Sequence, residues 1–165
     1  AGENEYDFRI LGSVMEVNKD QKMVLVKKLR QHFGSLNGKK ISLWGLSFKP
    51  ETDDIREAPS LEIIKALIEE GVEVSVFDPE AMKNVWDMFG DSLIYAEDQY
   101  GALKDSDALV VATEWSVFRM PDFKKMKDFM KQAVIFDGRN VYSSEGMEEN
   151  GFKYYSIGRP ERKNH

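Results

Sequence analysis

Two rhythms of apolar residues divide the chain. Across residues 11–33, Val14, Val17, Met23, Leu25, Val26 and Leu29 suit a helix, with no proline and only Gly12 inside. This predicts a long N-terminal helix that ends at Gly34-Ser35-Leu36-Asn37-Gly38. Beyond Gly38 the segments shorten. Residues 40–45 form a short apolar run closed by Gly45, and residues 60–70 place Leu61, Ile64, Leu67 and Ile68 on one helical face behind Pro59. Residues 72–78 alternate and are rich in valine, as a strand is. A helix over 80–89, a short strand over 92–95 and a short helix over 99–104 follow. Then come a continuous apolar strand over 108–113, a helix over 123–130, a strand over 133–137, a helix over 145–150 and a last strand over 153–157. Strands alternating with helices across short connections predict a three-layer α/β/α, Rossmann-like parallel sheet, preceded by the long helix. The first ten residues and residues 159–165 are polar and aperiodic.

Composition narrows the chemistry. The 165 residues are 42% hydrophobic and 32% charged, which fits one globular domain. There is no cysteine, so no disulfide, thiolate zinc site or cysteine nucleophile can come from this chain. His32 and His165 are too few and too far apart for a histidine metal site, and no metal is expected. A net charge of −6 argues against nucleic acid as a partner. No apolar run has membrane-spanning length and no secretory signal is visible, so the expectation is a cytoplasmic protein away from membranes.

In a parallel sheet of this kind, ligands collect beyond the carboxyl ends of the strands. The first such loop, Gly45-Leu46-Ser47-Phe48-Lys49-Pro50-Glu51-Thr52-Asp53-Asp54-Ile55-Arg56-Glu57-Ala58-Pro59, has one glycine where a dinucleotide fingerprint needs three. It is long, at about a dozen residues against a typical two to six. Phe48 could stack on a base and Lys49 or Arg56 could neutralise phosphate, or Phe48 could pack inward with Lys49 solvated. Asp53-Asp54 fits turn capping or pairing with Arg56 better than metal binding. Asp78 ends the second strand where a Rossmann domain holds a ribose, but without the glycines a capping role ahead of the next helix fits better. Asp137-Gly138 is turn chemistry that delivers Arg139 to the rim shared with Lys49. After Thr113, Glu114-Trp115 brings an aromatic expected to cover the sheet end.

Four pieces then carry a resemblance: the whole first loop, Val76-Phe77-Asp78-Pro79, Thr113-Glu114-Trp115 and Phe136-Asp137-Gly138-Arg139-Asn140. Together they resemble the C-terminal, UDP-binding domain of the UDP-glucose/GDP-mannose dehydrogenase family, from about Gly38 to Gly158. Within it they look most like the enzymes that oxidise UDP-glucose to UDP-glucuronate in two steps with NAD. The resemblance implies that residues 1–37 are a tail and the remnant of a helix linking a central domain, that 38–158 are the UDP-binding domain, and that 159–165 are a polar tail. It also implies that Phe48, Lys49 and Arg139 bind substrate and that Arg56 points toward NAD held mainly by an N-terminal domain. No catalytic residue is expected here, since the family's nucleophile is a cysteine outside this domain. The implied partners are UDP-glucose, the enzyme's other domains and a second subunit of a homodimer. The alternatives are a sister enzyme acting on GDP-mannose or a UDP-N-acetyl sugar, and a non-enzymatic Rossmann-like binding module. A receiver domain fits poorly, because Asp53-Asp54 come well after Gly45 and no aspartate ends the strand near Tyr95.

Overall fold

The computed structural model describes residues 23–157. Six strands, β1 (Lys40–Trp44), β2 (Glu73–Phe77), β3 (Ile94–Tyr95), β4 (Ala108–Val111), β5 (Val134–Asp137) and β6 (Lys153–Ser156), form one sheet in the order β3-β2-β1-β4-β5-β6. Every pairing is parallel. The chain runs outward in one direction from β1 to β3 and in the other from β4 to β6. The carboxyl ends of β1 and β4 therefore flank the topological switch point.

Alternation along the strands sorts the core into two faces. Ile41, Leu43, Val74, Val76, Val110 and Phe136 look one way and pack with α2 (Pro59–Glu69) and α3 (Met82–Phe89). Trp44, Leu109, Val111 and Ile135 look the other way, onto Phe118, Met126 of α4 (Phe123–Phe129), Met147 of α5 (Ser144–Glu149) and Phe152. Pro59 opens α2 at a position where its missing N–H costs nothing. The Asp122 and Ser143 side chains cap α4 and α5 by accepting from Lys125 N and Gly146 N.

The expected long N-terminal helix is seen as a short one, α1, over residues 23–33; residues 11–22 lie outside the described residues. It lies along the sheet. Leu25, Val26 and Leu29 are buried in the first core face, the Lys28 ammonium donates to the Ser156 carbonyl at 2.9 Å, and His32 Nδ1 lies 2.9 Å from the Tyr155 hydroxyl. Helices α2 and α3 pack over the β1–β2 half of this face, and α1 supplies the matching cover over β5 and β6. Burying each of its leucines contributes about 1.5–3 kcal/mol. The short predicted helix over 99–104 is a single 3-10 turn, Gly101–Leu103.

Candidate functional site

The site is built outward from the switch point. Gly45 follows β1 with φ +93°, and a Cβ there would lie 2.5 Å from both the backbone N and Cβ of Thr113. Only glycine lets the two loops approach this closely. The contact is completed by the Thr113 hydroxyl, which donates to the Ser47 carbonyl at 2.6 Å.

Beneath them lies Asp78, 1% exposed. One carboxylate oxygen accepts from Leu46 N at 2.6 Å, Ser47 N at 3.1 Å, the Ser47 hydroxyl at 3.3 Å and Trp115 Nε1 at 3.1 Å. The other accepts from Glu80 N and Ala81 N, both at 2.8 Å. Asp78 does not cap the next helix as expected: α3 starts at Met82 behind Ala81 with no side-chain cap, and Asp78 instead closes the turn over residues 79–81. Its larger role is one that the sequence did not reveal: a single carboxylate ties together the loops after β1, β2 and β4. The Ser60 hydroxyl adds a bond to the Leu46 carbonyl at 2.7 Å. Trp115 is buried over the sheet end, as expected.

The loop then rises into solvent. Phe48 N donates to Asp54 O at 2.8 Å, so residues 49–53 form a closed tip, and Asn84 steadies it through the Asp53 carbonyl at 2.8 Å. Phe48 is 48% exposed rather than packed inward. Lys49 is exposed and, among the described residues, in no ion pair. Glu51 and Glu57 hold the left-handed backbone at φ 65° and 60°, a strain that concentrates at functional loops. Asp54 pairs with Arg56: its carboxylate accepts from Arg56 N, Nε and Nη2 at 2.9, 3.0 and 2.9 Å. These bonds push the Asp54 carboxyl down to about 2.

Two strands away, buried Asp137 ends β5. Its carboxylate accepts from Arg139 N at 2.9 Å, Tyr142 N at 3.1 Å and the Tyr154 hydroxyl at 2.7 Å. Arg139 is thereby set on the same rim, where its guanidinium grips Glu114 at two points, Nε to Oε2 at 2.5 Å and Nη2 to Oε1 at 2.9 Å. Phe48 and Lys49 connect to Arg139 through the Ser47–Thr113 bond and the Glu114–Arg139 pair. The role of Glu114 is not legible in the sequence, where the one signal is a carboxylate immediately before a tryptophan at a strand end.

The rim does not fit a dinucleotide pyrophosphate. Gly45 is packed against Thr113, not left open for a phosphate, and the carboxylate that would hold a ribose is occupied by backbone and indole donors. Among the described residues no group of three His, Asp or Glu side chains could hold a metal ion, and no helix is long and apolar enough to cross a membrane.

A doubly wound sheet with an aromatic and cations on its switch-point rim defines a nucleotide-binding class of fold. The chain belongs to the UDP-glucose/GDP-mannose dehydrogenase family, whose UDP binding domain matches residues 42–144. It is 41% identical over 155 residues to UDP-glucose 6-dehydrogenase TuaD of Bacillus subtilis, covering 94% of this chain and 34% of that one. It is 42% identical over 166 residues to UDP-glucose 6-dehydrogenase of Pseudomonas aeruginosa, covering 97% and 37%. The solved UDP-glucose dehydrogenase of Pyrobaculum islandicum superposes with a TM-score of 0.75 at 31% identity, over 87% of this chain and 31% of that one. The chain thus spans about a third of the length of these relatives and corresponds to their C-terminal domain.

Proposed function

We propose that this domain anchors the UDP portion of UDP-glucose within an NAD-dependent UDP-glucose 6-dehydrogenase, and that it supplies none of the redox chemistry. The observation that carries this reading is the pair Phe48 and Lys49, exposed together on a loop whose root is fixed at the switch point. A uracil needs a flat apolar face and a diphosphate needs cations. Phe48 stacks on the base, and Lys49 and Arg139 neutralise the phosphates. Gripping the nucleotide at a distance from the reacting carbon positions that carbon for chemistry elsewhere. The oxidation itself requires a nucleophile, and this cysteine-free chain has none of the expected type. NAD is held by another domain, with Arg56 directed toward it from the loop tip. The linking helix before residue 38, the homodimer and a cytoplasmic setting belong to the same reading.

Titrating the chain with UDP while following amide shifts by NMR tests it. Shifts are expected at residues 45–56 and 137–140, with a dissociation constant from high micromolar to millimolar, about −4 to −6 kcal/mol. The affinity is modest because exposed cation–phosphate contacts contribute little each and weaken with salt. Shifts confined to the opposite ends of the strands, or none at several millimolar UDP, would reject the site. The chain alone is expected to form no NADH from UDP-glucose and NAD.

A further inference from the structure

We propose that Glu114 is a positioning residue for UDP, holding one edge of the Arg139 guanidinium so that the other edge faces a phosphate. The proposal rests on the reading that this rim binds UDP, and adds a residue to it. Val111 of β4 and Asp137 of β5 are register partners. Glu114 and Arg139 follow them on neighbouring loops, so adjacent parallel strands deliver the two side chains to one place.

Both ends of the pair are rooted. The Arg139 backbone N–H is held by Asp137, and Asp137 by Tyr142 N and Tyr154. Glu114 precedes Trp115, whose indole N–H is fixed by Asp78 and Ser47. The carboxylate takes the Nε and Nη2 positions of the guanidinium. An arginine has five N–H donors in a planar fork. The Nη1 donors and the second hydrogen on Nη2 are left by this pairing, and they form a second two-pronged edge suited to a phosphate. The side chains are 39% and 23% exposed, so a ligand can reach the pair while solvent does not swamp it.

A second role for the same carboxylate has the opposite sign. If Glu114 merely occupied the arginine as a phosphate would, or stood by, removing its negative charge would tighten a phosphate ligand by about twofold. If it positions Arg139, removing the charge weakens binding, against simple electrostatics. The test is UDP titration by NMR of the 165-residue chain as wild type, Glu114→Gln, Arg139→Ala and the double variant. Glu114→Gln is expected to weaken UDP by about fivefold, the scale of one exposed charge-assisted contact. It should add nothing further in the Arg139→Ala background, since the effect runs through that side chain. The Arg139 Nε–H signal should be protected in the wild type, move when UDP is added, and be lost to exchange in Glu114→Gln. Unchanged or tighter binding in Glu114→Gln overturns the proposal, as does equal weakening in both backgrounds. If Arg139→Ala itself leaves UDP binding unchanged, the substrate assignment of Arg139 fails, and Glu114 fails with it.

Discussion

The root and the tip of the β1 loop are built on opposite principles. At the root, the buried side-chain polar atoms of Ser47, Asp78, Thr113 and Trp115 all have protein partners, and the backbone of Gly45 is packed too closely against Thr113 to admit a ligand. At the tip, Phe48 and Lys49 face water with their capacity for stacking and charge unspent. The difference separates stability from recognition along a few residues of chain. Substitutions at the root should destabilise the fold, and substitutions at the tip should change only what it binds.

The largest effect is expected at Asp78. Asp78→Ala removes the acceptor for four backbone N–H groups and an indole N–H, most of them buried. Stranding such donors costs about 1–3 kcal/mol each where water cannot reach them, so a loss of at least about 3 kcal/mol follows. In a domain of this size that lowers the thermal midpoint by roughly 6–12 °C, readable by circular dichroism. A midpoint near the wild type would mean that the three loops hold together without their shared carboxylate, and the contrast between root and tip would collapse.

At the tip, Lys49→Ala should weaken UDP by about tenfold while moving the thermal midpoint by no more than about 2 °C. The titration and the melt together sharpen the comparison. Loss of both affinity and stability would show that the tip is structural after all.

The framework was legible because it depends on local pattern. The runs ending at Trp44, Phe77, Val111 and Asp137 are continuous or alternating, and each appears as a strand within two residues of its expected bounds. The location of the candidate site was legible too, since parallel topology alone selects the strand ends. What escaped the sequence was partnership across distance. Asp78 reads locally as a helix cap but closes only the turn ahead of α3, and its bonds to Leu46, Ser47 and Trp115 arise only when loops from three strands converge. Glu114 and Arg139 are likewise twenty-five residues apart, joined by the β4–β5 register. The placement of α1 over Phe136 and Tyr155 also needed the sheet order, which put β5 and β6 beyond the reach of α2 and α3.

That α1 contact gives a smaller, pH-dependent effect away from both root and tip. His32 packs edge-on to Phe136 and Tyr155, and burial, aided by the Lys153 charge, lowers its imidazole below the ordinary 6.5. The fold therefore favours neutral His32. Its contribution is complete above the unfolded value and is lost as the pH falls through that value toward the folded one. Wild type should lose slightly more stability than His32→Gln between pH 7 and 5, measured by paired thermal melts. Parallel curves would show that the His32 charge does not govern how α1 docks.

The smallest effect belongs to Arg56, and it tests whether the tip is one unit or two. Arg56 and Asp54 hold each other at the edge of the loop, with the arginine side chain 88% exposed. An exposed pair of this kind contributes little to stability because water and salt screen it. Arg56→Ala should leave the melt unchanged and let the Asp54 carboxyl return from about 2 toward its ordinary 3.8, readable by NMR titration of the side-chain carboxyl. The sign follows from the depressed folded value: the pair's contribution exists above the unfolded value and disappears as the pH falls toward the folded one. UDP affinity of this chain should also be unchanged, since Arg56 is assigned to the cofactor side and Lys49 to the substrate side. If Arg56→Ala weakens UDP as much as Lys49→Ala does, the two cations serve one ligand and the division of the tip between substrate and cofactor is wrong. If it leaves UDP untouched while Lys49→Ala does not, the loop presents two separate faces, and the Asp54 pairing serves to keep Arg56 turned away from the nucleotide that Lys49 receives.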